Sequence, residues 1–380
     1  MTDLPAHATD WPARPSPQLA NRTGLPAHSA GFLARSADMR SRFSHFPSCS
    51  APLLLAVWCL FTLTLTAQAQ SYQNWGPFVR HLNDTQRRTP LLRQVAHTVI
   101  AYQTPIGGCP KNIFYPNPTA EDSRHLAAVR QEGTEATNHE ATIDNGATTT
   151  EIRFLMRLFA ATGDSLCLES ALRGVRYLLS MQYDNGGFPQ YFPRHDHYHA
   201  RITFNDDAMV SVLRLLREVS LRRAPYGPFP LSLSVEAAAA VDRGVACILA
   251  CQYVQGGVRT VWAQQYDEHT LQPAPARAFE LAGLCSAESA AIVEFLQTVS
   301  EDHPEVLPAI EDAINWFRAH QLPDGRWARF YTLEDNRPFF CGRDGVMRFS
   351  LDEIEEERRN GYSWYNTRPA KLLRTSAPRP

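Results

Sequence analysis

The sequence predicts an all-α protein, an α/α toroid made of three helix pairs. Beyond residue 140, apolar residues recur at intervals of three and four in six segments, which is the pattern of amphipathic helices. Similar segments return after about 70 residues, whereas patterns typical of strands are sparse. An open solenoid is the alternative, but three units joined by long loops close more easily, and we expect the loops and short strands to form a binding groove.

The repeat is recognised by how its second helix ends. Three segments carry a helix pattern that reaches a glutamine and then turns at glycine: Ala171–Gly187, Val241–Gly257 and Ile310–Gly325. Their glutamines, 70 and 69 residues apart, are Gln182, Gln252 and Gln321. The first helices of the pairs are predicted over Thr148–Ala161, Asp206–Val219 and Ser286–Val299.

The charge balance excludes a whole-chain attraction to polyanions. The 380 residues include 37 Lys and Arg against 39 Asp and Glu, a formal net charge of −2. We therefore expect no nucleic-acid partner and no attraction to an anionic membrane surface, so that any polyanion recognition is local. Lysine occurs only at Lys111 and Lys371. Lys111 is interpreted either as a positioned ammonium or as an ordinary surface lysine.

The start of the chain carries a secretion pattern. Residues 51–66 form an uncharged apolar run, short for a membrane span, which is followed by Ala67-Gln68-Ala69. Counting from Met39 gives a basic leader of ordinary length. We expect residues 39–69 to be a signal peptide cleaved near Ala69, and residues 1–38 to be an untranslated or disordered extension. Residues 70–380 are then one secreted or periplasmic domain without a membrane partner, expected to be a monomer.

The cysteines and histidines give little support for zinc. Without the signal peptide six cysteines remain, Cys109, Cys167, Cys247, Cys251, Cys285 and Cys341. They are scattered in a chain that can build a core without disulfides, so we expect most of them to be buried free thiols. His195, His197 and His199 alternate in a loop without a second ligand cluster, which favours aromatic packing or sugar contact over a zinc site.

Carboxylates stand where the first helices of the pairs begin. Asn205-Asp206-Asp207 opens one helix pattern, and Asp144-Asn145 opens the preceding one. One such residue caps a helix, and we assign Asp207 a structural role, either as this cap or as a partner behind the ligands. The surplus oxygens suit a hard cation or a sugar hydroxyl. In a toroid the three starts gather at one end, where ligands from distant parts of the sequence converge.

Several arginines outside the helix patterns are candidate site residues, each with a structural alternative. The structural alternative for Arg277 is an ion pair with Glu280 or Glu268, and that for Arg343 is an ion pair with Asp344. Arg358 and Arg359 follow an acidic run that is typical of a solvated helix face.

Six ordered segments from about Tyr72 to Leu373 resemble the family 10 polysaccharide lyases, which are pectate lyases: TIDNGATTTEIRFL, NGGFPQYFP, ITFNDDAMVSVLRLL, VWAQQYDEHTLQPAPARAFE, FFCGRDG and ERRNGYSWY. The resemblance implies an α/α toroid and calcium-assisted β-elimination of α-1,4-linked polygalacturonate to 4,5-unsaturated oligogalacturonides. Cys109, where a tryptophan is expected, and the expanded segment 118–141 depart from it.

The resemblance also implies roles for particular residues. It places Ca²⁺ at Asp144 and Asp206, with Asn145 at the substrate carboxylate, and makes Arg277 the base. Substrate uronates are then bound by Arg343 and by Arg359 or its neighbour Arg358, and we add Lys111 to the substrate ligands. Because a cation, other guanidiniums and burial all disfavour a charged Arg277, we expect an alkaline optimum.

Two other classes of function remain open at this point. A glycoside hydrolase on a similar architecture would use two carboxylates, such as Asp206 and Glu288, as acid and base. A non-catalytic repeat protein would bind the sugar without forming a product.

Overall fold

The computed structural model describes residues 74–375. The predicted extension 1–38 and signal peptide 39–69 lie outside the described residues. The α-helices within 74–375 are α1 Trp75–His81, α2 Asp84–Arg87, α3 Pro90–Tyr102, α4 Ala120–Glu132, α5 Thr134–Asn138, α6 Thr149–Thr162, α7 Ser165–Ser180, α8 Ala208–Ser220, α9 Leu231–Cys251, α10 Ser286–Val299, α11 Leu307–Ala319, α12 Glu356–Gly361 and α13 Ala370–Thr375. Short 3₁₀ helices span Asp144–Gly146, His197–Ala200, Asn205–Asp207, Pro304–Val306 and Leu351–Glu353.

The strands are short and pair antiparallel. They are β1 Ile202–Thr203, β2 Val254–Gln255, β3 Val258–Arg259, β4 Gln265–Tyr266, β5 Leu284–Cys285, β6 Trp327–Ala328, β7 Phe330–Tyr331, β8 Pro338–Cys341, β9 Met347–Arg348 and β10 Tyr365–Asn366. The largest sheet within 74–375 has the order β5-β7-β8-β9, and side chains of its own strands, including Phe330 and Phe339, form a small apolar cluster with Trp364.

The three predicted helix pairs are α6 with α7, α8 with α9, and α10 with α11, and each pair packs together. The first helices lie inside, where α6 contacts α8 and α8 contacts α10. The second helices lie outside them in the same order. This is the α/α arrangement predicted for a toroid. Helix α9 begins at Leu231, well before the predicted segment at Val241, because its first turns continue the amphipathic pattern.

Glycines at equivalent positions let outer and inner helices approach closely. A Cβ at Gly174 in α7 would lie 2.7 Å from Ile152 in α6. A Cβ at Gly244 in α9 would lie 2.3 Å from Leu213 in α8. The approach is therefore closed to any larger residue without a shift of the helices.

The repeated glutamines connect consecutive outer helices. Gln182 Nε2 donates to Gly186 O at 3.0 Å, in its own turn, and to Ala240 O of α9 at 2.8 Å. Gln252 Nε2 likewise donates to Thr260 O at 2.9 Å and to Ala309 O of α11 at 3.0 Å.

The same link occurs once more, before the first predicted pair. Gln103, which follows α3, donates to Gly107 O at 2.8 Å and to Ser170 O of α7 at 3.0 Å. Helix α3 packs on α6 and α7 and so adds an outer helix to the three pairs. The sequence analysis missed it because no inner helix pattern precedes it.

Short β-pairings precede all three inner helices. Thr142 bridges to Cys109 and to Tyr191 just before Asp144. Strand β1 pairs with β4 before Asn205, and β5 pairs with β7 before α10. These pairings fix the backbone immediately before each helix start, where the candidate site residues lie.

The described residues contain neither a disulfide bond nor a helix suited to span a membrane. The six cysteines within 74–375 are all free and buried, as predicted. None of the helices in this part of the chain has the length and apolar character needed to cross a bilayer.

Replacing Gln252 by methionine is expected to lower the free energy of unfolding by about 1–3 kcal/mol. Methionine fills a similar volume, but it leaves the carbonyls of Thr260 and Ala309 without their shared donor. Urea denaturation at neutral pH measures the change.

Gln321→Met is the matched control. Gln321 is exposed and its amide donates to Gly325 O of its own turn. We expect a change within about 0.5 kcal/mol for it. Equal losses in the two variants would contradict a stabilising link between the outer helices.

Candidate active site

The starts of the three inner helices converge at one end. The 3₁₀ helix Asp144–Gly146 contacts the 3₁₀ helix Asn205–Asp207, which in turn contacts α10. Asp144, Asp206 and Glu288 thus approach one another although about 60 to 80 residues separate them in sequence. The predicted gathering of helix starts is present.

Two tight turns present these polar side chains. Asn145 has φ 53° and Asp206 has φ 51°, in the left-handed region that Asn and Asp tolerate better than most residues. Asp207 also has a positive φ, 59°, and makes no capping hydrogen bond to α8. The prediction that Asp207 caps the helix is wrong, since a cap needs an extended backbone to reach the next amides. Its carboxylate instead accepts two 2.8 Å hydrogen bonds from Arg368.

Asp144 is buried and forms an ion pair with Lys111. Lys111 Nζ lies 2.5 Å from Asp144 Oδ2, and Asn145 N donates to Oδ1 at 3.1 Å. Burial lowers the pKa of Lys111, but the Asp144 carboxylate outweighs this and raises it above its ordinary value. Lys111 is therefore the positioned ammonium of the two interpretations, and in this structure it neutralises Asp144.

Asp206 is the least compensated carboxylate of the cluster. Its side chain is 44% exposed, Asn205 Nδ2 donates to Oδ2 at 3.1 Å, and Arg329 Nη2 lies 3.9 Å from Oδ1. Desolvation by the surrounding protein and the charge of Asp144 raise the pKa of Asp206 to about 6, although Arg329 lowers it. The position favours a cation that would offset these repulsions.

Glu288, at the third start, is neutralised within the protein. Arg329 Nη2 donates to Glu288 Oε1 at 2.7 Å, and the Cys285 thiol donates to Oε2 at 2.8 Å. Arg329 also donates to Asn205 Oδ1 at 3.3 Å and lies over the Tyr362 ring at 4.7 Å. Arg329 thus lies between Glu288 and Asn205, where a third metal ligand would otherwise be. It lies in a loop outside the helix patterns, and no feature of the sequence indicated this contact.

The donors fit a hard cation only in part. Asp144, Asp206 and the Asn145 amide supply oxygen atoms, the donors that Ca²⁺ prefers. Desolvation is the largest cause of the raised pKa of Asp206, and repulsion by Asp144, which a divalent cation would relieve, adds to it. Within residues 74–375 no group of three or more His, Cys, Asp or Glu side chains could hold a metal ion. Water and a ligand carboxylate would therefore complete the shell.

Arg277 forms a two-point ion pair with Glu280. Arg277 Nε donates to Oε2 at 2.8 Å and Nη2 donates to Oε1 at 2.5 Å. Burial lowers the pKa of Arg277, but Glu280 outweighs burial and raises it. The expected lowering of this pKa is thus not found, because a buried carboxylate faces the guanidinium. The ion pair with Glu280, the structural alternative for Arg277, is therefore present, and Arg277 also lies at the candidate site.

Hydrogen bonds connect this pair to the carboxylate cluster. Gln264 Nε2 donates to Glu280 Oε1 at 3.5 Å and to Asn205 Oδ1 at 2.5 Å, and Asn205 donates to Asp206. Arg277 is therefore joined to Asp206 through three intervening side chains. Residues separated by about 70 positions meet here, as the toroid predicts.

Three arginines surround the ring of Phe279. The guanidinium carbons lie from its centroid at 4.0 Å for Arg358, 4.8 Å for Arg277 and 5.6 Å for Arg343. Arg358 is buried, and its Nε and Nη2 have no hydrogen-bond partner among the described residues. Desolvation lowers its pKa.

The other two substrate-binding arginines differ in position. Arg343 is 51% exposed and pairs with Glu357 at 2.9 Å, so the suggested Arg343–Asp344 pair is wrong. Asp344 pairs with Arg348 instead. Arg359 Nη1 lies 3.7 Å from Oδ1 of Asp352, whose side chain is fully exposed. The structure does not bring Arg359 to the Phe279 ring. Of the two adjacent arginines, the geometry favours Arg358 for the cluster.

Two of the three alternating histidines pack against aromatic rings, as expected. His199 lies 4.8 Å from the Tyr191 ring and His195 lies 5.7 Å from Phe192. A cavity of about 330 Å³ lies elsewhere, lined by residues such as Gln103, Arg130 and Arg173, and it includes none of the predicted site residues.

Comparisons with known proteins agree with this architecture. A sequence model of the family described as pectic acid lyase matches residues 103–326 and 323–373. The solved structure of a family 10 polysaccharide lyase from Cellvibrio cellulosa is 31% identical, with a TM-score of 0.67, over 77% of this chain and 94% of that chain. A mutant of that enzyme in complex with trigalacturonic acid is 29% identical, with a TM-score of 0.66 and the same coverage.

No curated protein matches the chain. The family model nevertheless spans most of the described residues, and the solved relatives share the helix-pair architecture over three quarters of the chain. On these grounds the chain belongs to the family 10 polysaccharide lyases, which are pectate lyases and have the α/α toroid fold.

Proposed function

We propose that this polysaccharide lyase cleaves α-1,4-linked polygalacturonate by calcium-assisted β-elimination and gives 4,5-unsaturated oligogalacturonides. The observation that carries the proposal is the chain of side chains that joins Arg277 to Asp206. It brings a candidate base and a repelled carboxylate into one solvent-accessible cluster. The related lyase from Cellvibrio cellulosa was solved with trigalacturonic acid, which supports a galacturonate substrate.

The chemical problem is to remove a weakly acidic proton. In β-elimination the proton on C5 is taken and the C4 glycosidic oxygen leaves. The carboxylate beside C5 opposes this because the carbanion adds a second negative charge. When bound, Ca²⁺ supplies a Lewis acid that offsets the charge of the uronate carboxylate. In this proposal Asp144 and Asp206 hold the cation, and Asn145 binds at the uronate carboxylate.

The remaining roles follow from charge and exposure. Arg277, 41% exposed, takes the C5 proton in its neutral form. Arg343 and Lys111 supply cations to further uronates, which for Lys111 requires release from Asp144 when the metal binds. Arg359 was assigned with them, but Arg358 is the better candidate because it lies beside Arg277 over Phe279.

The hydrolase alternative loses support from the position of Glu288. Both of its oxygens accept hydrogen bonds, from Arg329 and Cys285, and its side chain is 4% exposed. A general acid or base must reach the glycosidic oxygen or a water molecule. Glu288 in this state reaches neither.

Export and assembly also belong to the proposal. Residues 39–69 act as the signal peptide, and residues 70–380 form one catalytic domain. The mature enzyme is a secreted or periplasmic monomer that requires no nucleic acid and no membrane.

Calcium removal tests the reaction class directly. On polygalacturonate, the enzyme with Ca²⁺ should produce a steady rise of near-ultraviolet absorbance from unsaturated ends. A chelator should slow this about 100-fold, which corresponds to about 2.7 kcal/mol of barrier. New reducing ends without absorbance would indicate a hydrolase, binding without product would indicate a binding protein, and insensitivity to the chelator would contradict the calcium role.

Arg277→Lys should lower kcat by about 10³-fold while KM changes less than about threefold. Lysine keeps the charge but has a single side-chain nitrogen, so it cannot pair with Glu280 and face the substrate at the same time. Initial rates between pH 7 and 11 measure this, and the wild type should be fastest on the alkaline side.

Arg326→Lys is the control for this exchange. Arg326 pairs with Asp324 on the surface, and its kinetics should match the wild type. Retention of most activity in Arg277→Lys would remove Arg277 from the role of base.

Asp206→Asn should abolish activity yet raise the melting temperature of the calcium-free protein by about 1–3 °C at pH 8. The pKa of Asp206 is about 6 against an ordinary value of 3.8, so its ionisation opposes folding. That penalty is absent below about pH 4 and complete above the folded pKa. Thermal unfolding in chelator at pH 4 and pH 8 measures it, and solvent screening keeps it small.

Asp324→Asn serves as the control with the opposite sign. Hydrogen bonds from Arg326 lower the pKa of Asp324, so its loss should not stabilise the protein at pH 8. If Asp206→Asn melted lower than the wild type at pH 8, the repulsion inferred for the cluster would be wrong.

A further inference from the structure

We infer that Glu280 is a positioning residue that fixes which nitrogen of Arg277 accepts the C5 proton. The inference rests on the proposed role of Arg277 as base. It gives a function to the two-point ion pair, which otherwise opposes that role.

The ion pair divides the guanidinium into an occupied and a free edge. Glu280 accepts from Nε at 2.8 Å and from Nη2 at 2.5 Å. Among the residues that the structure describes, Nη1 donates to no acceptor, and the side chain is 41% exposed. The nitrogen that is free to face a substrate is therefore Nη1.

Neutral guanidine has one imine nitrogen, and only this nitrogen has the σ lone pair that accepts a proton. A carboxylate can only accept hydrogen bonds, so it favours hydrogen on both nitrogens that it faces. An amino N–H donates more strongly than an imine N–H, so ionised Glu280 favours amino nitrogens at Nε and Nη2 and the imine at Nη1. The carboxylate of a Ser-His-Asp triad selects the tautomer of its histidine in the same manner.

Glu280 is itself held in place. Its side chain is 3% exposed, and Oε1 also accepts from Tyr362 Oη at 3.3 Å and from Gln264 at 3.5 Å. Backbone bonds join Glu280 N to Arg277 O at 2.8 Å and Ala276 N to Glu280 O at 2.9 Å. A carboxylate fixed on this many sides can orient the guanidinium plane.

The proton transfer then balances without a further reactant. The C5–H bond breaks, the proton forms a bond to Nη1, and the electron pair becomes the C4=C5 double bond as the C4–O bond breaks. The leaving oxygen takes a proton from water. The hydroxide so formed removes a proton from Nη1 and restores the neutral Arg277.

A purely structural ion pair predicts different kinetics. If Glu280 only stabilised the charge of Arg277, removing its charge would make proton loss easier and raise activity below the optimum pH. The other titratable or charged groups that affect Arg277 or are affected by it are Tyr198, Tyr362, Arg343 and Arg358. All four residues are retained in the variants below, and of these Tyr362 also donates to Glu280.

Glu280→Gln separates the two explanations. The glutamine amide donates where the carboxylate accepts, so it favours the imine at Nε or Nη2, which faces away from the substrate. We expect kcat on polygalacturonate to fall at least about 100-fold at its pH plateau, with KM within about threefold. The acid limb of the pH profile should move to lower pH because a negative charge is lost.

Asp324→Asn is the matched control, since Arg326 Nε donates to Asp324 at 2.8 Å in a surface pair, and it should keep the wild-type profile. An unchanged or raised plateau kcat in Glu280→Gln would overturn the inference. If Glu280→Gln fails to fold, Glu280→Asp decides. It keeps the charge but shortens the reach, so kcat should fall about tenfold with the acid limb unmoved, and an unchanged kcat would overturn the inference.

The proposed function can fail separately. High activity in Arg277→Lys would remove the base itself. Inactive Arg277→Lys together with active Glu280→Gln would keep the base and reject the positioning role.

Discussion

The convergence of the inner helix starts imposes the main physical constraint on this protein. It places Asp144, Asp206 and Glu288 near one another, and burial strengthens the repulsion among carboxylates. Lys111 neutralises Asp144 and Arg329 neutralises Glu288, which leaves Asp206 with a pKa of about 6. The cluster retains a net negative charge, and the rigidity of the fold keeps its carboxylates together.

That rigidity comes from contacts far from the cluster. Gln103, Gln182 and Gln252 connect each outer helix to the next, and the close approach at Gly174 and Gly244 presses outer helices onto inner ones. Short β-pairings then fix the backbone just before each inner helix. The left-handed turns at the starts can persist because the surrounding structure holds their ends.

In the second part of the site, the Glu280 carboxylate directly faces the Arg277 guanidinium. Glu280 raises the pKa of Arg277 and occupies Nε and Nη2 of the guanidinium, while Nη1 has no partner among the described residues. Arg343 and Arg358 lie over the same Phe279 ring as Arg277, so three guanidiniums lie close together.

The sequence by itself determined the helix pairs, because amphipathic spacing and the repeated glutamine turn are local patterns. It also determined that polar residues open the inner helices, and its motifs identified the family. Only the tertiary structure decided which charges meet. The partners of Asp144, Asp207, Arg277 and Arg343 lie on other elements or depend on side-chain direction, and the burial that separates Arg358 from Arg359 is a property of the packed chain. Ion pairing and desolvation depend on distances that spacing in sequence does not contain.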